Sequence, residues 1–241
     1  MKKFLSSVRE LLLQLLRVDA IRWFVATVRY IWFAVLLRRL KTLNPGTGDI
    51  GVNAVHHNLL GLKNLRDLAV NRSTLLLYPL SVLRSSKSDP LLSIGPRSEG
   101  ELLNSKGLGF RSVRGLDLIS YSPWIDLGDM HAMPYKDNQF GIVMIGWVLA
   151  YSDNRMKAAQ ELLRVTRNGG LIAVGSEWRR ASAQELSHKV GYELCDEKRL
   201  ESTDDILALF GGSVDRVLLR RDLPVNPPDK FDLVTIFSVK K

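Results

Sequence analysis

From Pro90 to the end of the chain, short apolar runs alternate with helical patterns, and this alternation is the strongest constraint on the fold. A chain that alternates in this way folds as a parallel sheet covered by helices. Strands are predicted at residues 91–95, 112–118, 140–146, 170–175, 214–220 and 231–239, with a short one near Trp124–Leu127. Only Pro224–Asp229 separates the last two, which is too little for a crossover helix. They are expected to pair as an antiparallel hairpin at the sheet edge.

The first part of the chain is different in kind. Net charge is +9, and residues 1–41 hold Lys2, Lys3, Arg9, Arg17, Arg22, Arg29, Arg38, Arg39 and Lys41 against Glu10 and Asp19. The rest of the chain is close to neutral, which speaks against a uniformly basic nucleic-acid surface. A helical wheel over Lys2–Arg17 sets Lys2, Lys3, Arg9, Glu10, Gln14 and Arg17 against Phe4, Val8, Leu11, Leu12 and Leu15, a basic amphipathic helix. Arg22 and Arg29 fall on a face opposite to Arg17, so the helix is expected to bend or restart near Val18–Ala20.

Trp23–Leu37 is apolar apart from Thr27 and Arg29. It is short for a span of ~20 residues, and a central arginine costs roughly 2.5–3.5 kcal/mol on insertion scales. The expectation is an arm lying in a membrane interface, with packing on the globular domain or on a partner protein as the other reading. Arg9, Glu10 and Arg17 interrupt any secretory apolar region, so no cleavable signal is expected. A cytoplasmic, peripherally membrane-associated location is expected, and a mitochondrial presequence stays open.

Asn44–Gly48 reads as a linker, the leucine spacing from Asn53 to Arg84 as one or two short helices, and Ser85–Asp89 as a second linker. The lone Cys195 excludes an intrachain disulfide, and neither it nor the adjacent His56 and His57 gives a metal-site spacing. No metal is expected.

The order LLSIGPRSEGEL, GLDL, LGDMHAMPYKDNQFGIVMIGWVLAYSDN and KAAQELLRVTRNGGLIAVG from Pro90 to Trp178 resembles the type-11 group of class I S-adenosylmethionine-dependent methyltransferases. The resemblance implies a Rossmann-like, mostly parallel seven-stranded sheet with a C-terminal antiparallel hairpin and an N-terminal helical arm. The expected division is an arm at 1–43, a linker and helical cap at 44–89, and a methyltransferase-like domain at 90–241.

It also implies S-adenosylmethionine as cofactor and a set of site residues. Gly95 and Gly100 bound a strand-to-helix turn in which Arg97 replaces the middle glycine of a dinucleotide turn, obstructing the approach of a pyrophosphate. Glu99 and Arg97 are chemically suited to the ammonium and carboxylate of a methionyl group, or Glu99 is a helix-capping acid. Asp117, ending the second strand, can accept from both ribose hydroxyls, or cap the next turn. Asp129 matches the family position that accepts from the adenine amino group, with Met130 beside it; an Asx-turn is the duller reading. Trp147 is expected to line the cavity.

Departures from the family pattern are Ser93 where an acid commonly ends strand one, Gly141 where an acid follows the phenylalanine, and Ala150-Tyr151 where a Glu-His pair stands. Candidates for acid–base work are therefore His131, Tyr151 and Asp153. Asn226-Pro227-Pro228-Asp229 lies between the final strands and lacks the aromatic that would stack on a base, so it reads as a hairpin turn. The leading expectation is methyl transfer to a small-molecule, lipid or glycan acceptor at a membrane surface. The alternative is a methyltransferase fold that works as a non-catalytic docking or assembly subunit.

Overall fold

A computed structural model describes residues 11–43, 48–69, 73–83, 87–182, 185, 188 and 199–241. Residues 1–10, with most of the expected amphipathic helix, residues 44–47 of the first linker, residues 85–86 of the second and Cys195 lie outside the described residues.

A 3-10 turn at Leu15–Arg17 ends at Val18, whose backbone is extended, and helix α1 starts afresh at Asp19–Tyr30. The break falls where the change of phase predicts it. A π-helical turn, Ile31–Leu36, follows directly, and the chain then forms a short strand β1, Lys41–Thr42. Helices α2 (Gly48–Lys63) and α3 (Thr74–Leu83) come next, joined through a 3-10 segment at Leu65–Ala69.

The α/β part begins with β2 (Leu91–Ile94), α4 (Glu99–Gly107), β3 (Val113–Asp117), β4 (Ile119–Ser120), β5 (Ile125–Leu127) and β6 (Phe140–Gly146). It continues with α5 (Arg155–Val165), β7 (Thr166–Arg179), α6 (Thr203–Ala208), β8 (Val214–Arg221) and β9 (Lys230–Val239). The seven-stranded sheet runs β5-β3-β2-β6-β7-β9-β8. Only β9 is antiparallel to its neighbours, with Leu171 facing Ser238 on one side and Val217 facing Phe237 on the other. The C-terminal hairpin and the Rossmann-like order are as the sequence implies.

Central strands of such a sheet are covered on both faces and need apolar side chains at every position. Leu91, Leu92 and Ile94 of β2 and Ile142–Ile145 of β6 are buried accordingly. One face packs on α5 and α6 through Ala158, Leu162, Ile206 and Phe210, the other on α3 through Leu76, Leu77 and Leu80.

The arm joins this body through an apolar cluster in which Leu16, Val25, Ala26 and Tyr30 meet Leu62, Leu68, Leu103 and Tyr121, and through its charges. Arg22 is 2% exposed, donating to the carbonyl of Leu16 at 2.9 Å and to Asp19 at 2.6 Å. Arg17 donates to the carbonyl of Gly107 at 2.8 Å, at the end of α4. Arg29 forms a two-pronged pair with Glu99, one bond measuring 2.8 Å, and its guanidinium lies 3.8 Å from the Trp124 ring centre. Further on, β1 pairs with β4, and Leu43 N–H donates to Leu118 C=O at 2.7 Å. Among the described residues, no helix is long and apolar enough to cross a membrane.

Glu99 is fully buried. Removing one partner of such a pair strands a charge, at a cost of roughly 3–5 kcal/mol, whereas replacing both is far less costly. Arg29→Met is therefore expected to lower the melting temperature by about 6–12 °C for ~3 kcal/mol lost in a chain of this size. Arg29→Met combined with Glu99→Gln should recover most of that loss; additive losses in a thermal-denaturation series would refute the pairing.

Candidate active site

The C-terminal ends of β2, β3 and β6 open into a cavity of about 400 Å³. That is the size of a small-molecule site, and the edge of an open α/β sheet beyond the strand ends is where such sites form. Gly95 follows β2 at φ 72°, in the left-handed region, and a β-carbon there would overlap Val148. Arg97, in the place of a dinucleotide turn's middle glycine, takes the same left-handed conformation at φ 55°. This costs a non-glycine residue about 1 kcal/mol. Its backbone N–H donates to Asp117 Oδ2 at 2.7 Å, which helps hold the turn.

Asp117 ends β3 and points into the cavity. It also accepts from Ile119 N–H at 3.2 Å and from Asn58 of α2 at 3.1 Å. Burial pushes its carboxyl up to about 6, against the hydrogen bonds from the Arg97 and Ile119 backbones. Helix α2 thus forms a cover over the cavity, contributing Ala54, His57 and Asn58. Arg97 reaches back to it so closely that a β-carbon on Gly61 would overlap the guanidinium. Burial, Arg97 and His56 all lower the pKa of His57, favouring the neutral ring.

Asp129, Met130, His131, Tyr151 and Asp153 line the far side. Asp129 Oδ1 accepts from the His131 backbone at 2.9 Å and meets the ring Nδ1 at 2.6 Å. Burial works against this carboxylate's charge, but the His131 bonds outweigh it and its pKa is lowered. His131 Nε2 lies 2.7 Å from Ser152 Oγ, and 3.5 Å from Asp153 Oδ1. With both ring nitrogens engaged, the imidazole braces the wall in this geometry, with no lone pair left over for a substrate proton. The Tyr151 ring faces His57 of the cover, 6.3 Å between centres. Trp147 lines the cavity at φ 65°, but its ring rests against Gly175 and its Nε1 donates to Asp232 at 2.7 Å.

The structure therefore brings Gly95, Arg97, Asp117, Asp129, Met130, His131, Trp147, Tyr151 and Asp153 together around one cavity. Glu99 and Gly100 do not line it. Glu99 turns away from the cavity to Arg29, Ser122 and the arm, and Gly100 packs against the Leu68 backbone. The acid that does face the cavity is Glu101, hydrogen-bonded to Ser93 of β2. Residues two apart on a helix diverge by about 200°, so only one of the two glutamates could point inward. The available signal was Ser93: a small hydroxyl where the family pattern has an acid leaves room for a carboxylate from the facing helix.

Burial pushes Glu101 up to about 7, with Asp117 adding to the rise and the hydroxyls of Ser93 and Ser73 opposing it. Ser73 also lines the cavity, and its buried hydroxyl makes no hydrogen bond of normal geometry. Asp67 also lines the cavity.

Comparison with known proteins bears on the fold. Residues 112–174 match the family model described as a methyltransferase domain. Over those residues the chain is similar to a methyltransferase domain. The YcgJ protein of Bacillus subtilis superposes with a TM-score of 0.51 at 13% identity, over 70% of this chain and 99% of that one. A chain from the complex of the Haloferax volcanii Trm112 methyltransferase activator with a candidate methyltransferase gives 0.52 at 13%, over 74% and 92%. The [4+2]-cyclase SpnF gives 0.52 at 16%, over 70% and 80%. At these identities the likeness is one of fold. No curated protein sequence matches the chain.

The raised carboxyls make a prediction about stability. The folded domain holds these protons more tightly than the unfolded chain, so the associated stability is present below about pH 4 and is lost as pH rises through about 6–7. Urea denaturation at about pH 5 and about pH 8 should show this fall in wild type and a clearly smaller one in Glu101→Gln. An equal fall in both proteins would exclude Glu101 as a source.

Proposed function

We propose that the cavity binds S-adenosylmethionine and that the domain transfers its methyl group to a small-molecule, lipid or glycan acceptor at a membrane surface. The observation that carries this reading is the ring of carboxylates, Asp67, Glu101, Asp117, Asp129 and Asp153, around a space that also holds Arg97. A phosphate-bearing dinucleotide would be repelled by that ring; a cationic, phosphate-free nucleoside suits it. The cavity size fits such an occupant.

In this reading Asp117 accepts from the ribose hydroxyls once Asn58 gives way, and Asp129 with Met130 frames the adenine. Glu101 takes the ammonium role first expected of Glu99, and Arg97 the carboxylate. When bound, the cofactor supplies a methyl group activated by its sulfonium. The chain's own part is to align the acceptor and exclude water under α2, since methyl transfer needs a base only when the acceptor must lose a proton early. Tyr151 and Asp153 stand on the acceptor side; His131, bound at both nitrogens, positions Asp129 and Asp153.

A second reading is a docking or assembly subunit that keeps the fold. It is favoured by the engaged imidazole and by the arm's exposed apolar surface, and the SpnF and Trm112 neighbours are named for a cyclase and for a complex with an activator. The arm supports the membrane context in the first reading: Phe24 is 62% exposed, Trp32 53% and Leu36 63%. Contiguous apolar surface of this kind marks an interaction site. A cytoplasmic membrane face or a mitochondrial one would both serve.

Calorimetry with S-adenosylmethionine, S-adenosylhomocysteine and NAD separates these readings, with binding of the first two expected and of NAD not. Asp117→Ala should weaken S-adenosylmethionine by roughly 2–4 kcal/mol through loss of charge-assisted bonds. Glu101→Gln should weaken S-adenosylmethionine about tenfold or more while leaving methylthioadenosine, which has no ammonium group, unchanged. Equal weakening of both ligands would remove Glu101 from the ammonium site.

Membrane association is tested by flotation of the full chain with neutral and anionic liposomes at low and high salt. Binding is expected to be strongest on anionic vesicles and only partly reversed by salt, since apolar burial persists when charge is screened. Phe24→Glu with Trp32→Glu should abolish it; wild-type protein that stays at the bottom of every gradient would leave the arm a protein-docking element.

A further inference from the structure

Behind the cover helix lies a second concavity, of about 280 Å³, between the arm and α2. Its walls are Tyr30 and Leu40 from the arm and Leu59, Leu60 and Leu62 from α2, with His56 and Lys63 completing it. The helix repeat explains why one element serves two cavities. His56, Leu59, Leu60 and Lys63 recur at the spacing of one helix face, while Ala54, His57, Asn58 and Gly61 occupy the face turned to Arg97 and Asp117. Helix α2 is therefore a partition one helix thick between the acidic cavity and this groove.

The groove has an apolar interior and a cationic margin. Leu60 is 44% exposed and Leu40 38%, so its mouth is open, and His56 and Lys63 are exposed beside it. Leu40 continues into the exposed Leu37, Leu36 and Trp32 of the arm, and Arg38, Arg39 and Lys41 are exposed on the same connection. Its interior offers little for a peptide backbone to bond with, and a docked helix needs a longer apolar track than this. A hydrocarbon chain needs only apolar walls, and a negatively charged end finds its complement at the margin.

We propose that this groove takes one hydrocarbon chain of an anionic lipid, its charged end beside Lys63 and His56. The proposal rests on the reading of the arm as membrane-facing and narrows the interacting class to lipid. It places a lipid chain one helix away from the residues proposed to hold the cofactor.

The test is titration of the full chain with cis-parinaric acid, a fluorescent single-chain carboxylate, below its micelle concentration, with the corresponding alcohol as comparison. Saturable binding at one site per chain is expected. Leu60→Glu, at an exposed position that a folded chain tolerates, should weaken the acid at least about tenfold by placing a like charge in an apolar channel. Lys63→Ala should weaken the acid and leave the alcohol unchanged. Non-saturable binding, or equal affinity in wild type and Leu60→Glu, overturns the proposal, as does equal weakening of acid and alcohol in Lys63→Ala. Flotation is scored separately: its failure overturns the membrane reading, whereas the groove stands or falls on the probe.

Discussion

The pair between Arg29 and Glu99 ties the arm to the cavity without either residue entering it. Glu99 has no exposure at all, so its charge is tolerable only with a guanidinium and further donors around it. Arg29 supplies two bonds, Ser122 a third, and the Trp124 face covers the cation. Tyr121 accepts from the Glu99 backbone N–H at 3.0 Å. These contacts gather the start of α4 and the segment after Asp117 into one unit, and the turn from Gly95 to Ser98 is carried on it.

A helix that spends its arginines on the domain must present something else outward. In α1 the inward face holds Arg22, Ala26 and the Arg29 guanidinium, while Trp23, Phe24 and Val28 look out. Val25, Ala26 and Tyr30 also pack on Leu62, Leu68, Leu103 and Tyr121, so α1 is apolar on both its inward and its outward side. The central arginine that makes Trp23–Leu37 a poor transmembrane segment is the residue that docks it, so its charge need not enter an apolar phase.

The sheet was legible in the sequence because central strands demand apolar runs, and Leu91–Ile94, broken only by Ser93, and Phe140–Gly146 supply them. Asp117 was legible as a cavity residue because it ends a recognisable strand, and Asp129 through its match to the family's Gly-Asp turn. Glu99 and Glu101 were not separable, since their difference lies in which side of α4 meets Arg29, a residue seventy positions away. The orientation of α1 was hidden for the same reason: periodicity tells which residues share a face and not which body the face meets. A helical cap was expected at 44–89, but not which of its residues face the cavity, because Asn58 and Gly61 acquire meaning only against Asp117 and Arg97.

The far wall of the cavity bears on what kind of chemistry the site can support. A general base must have a lone pair directed at the proton it removes. His131 spends one nitrogen on Asp129 and the other on Ser152, and Ser152 is itself fully buried. The array therefore resembles a nucleophilic Asp-His-Ser set only in its order, for its serine cannot meet a substrate. What it does achieve is rigidity: it fixes Asp129 and brings Asp153 alongside without requiring either to move. A wall of fixed carboxylates favours holding and aligning a cation, and that is most of what an in-line methyl transfer asks of a protein.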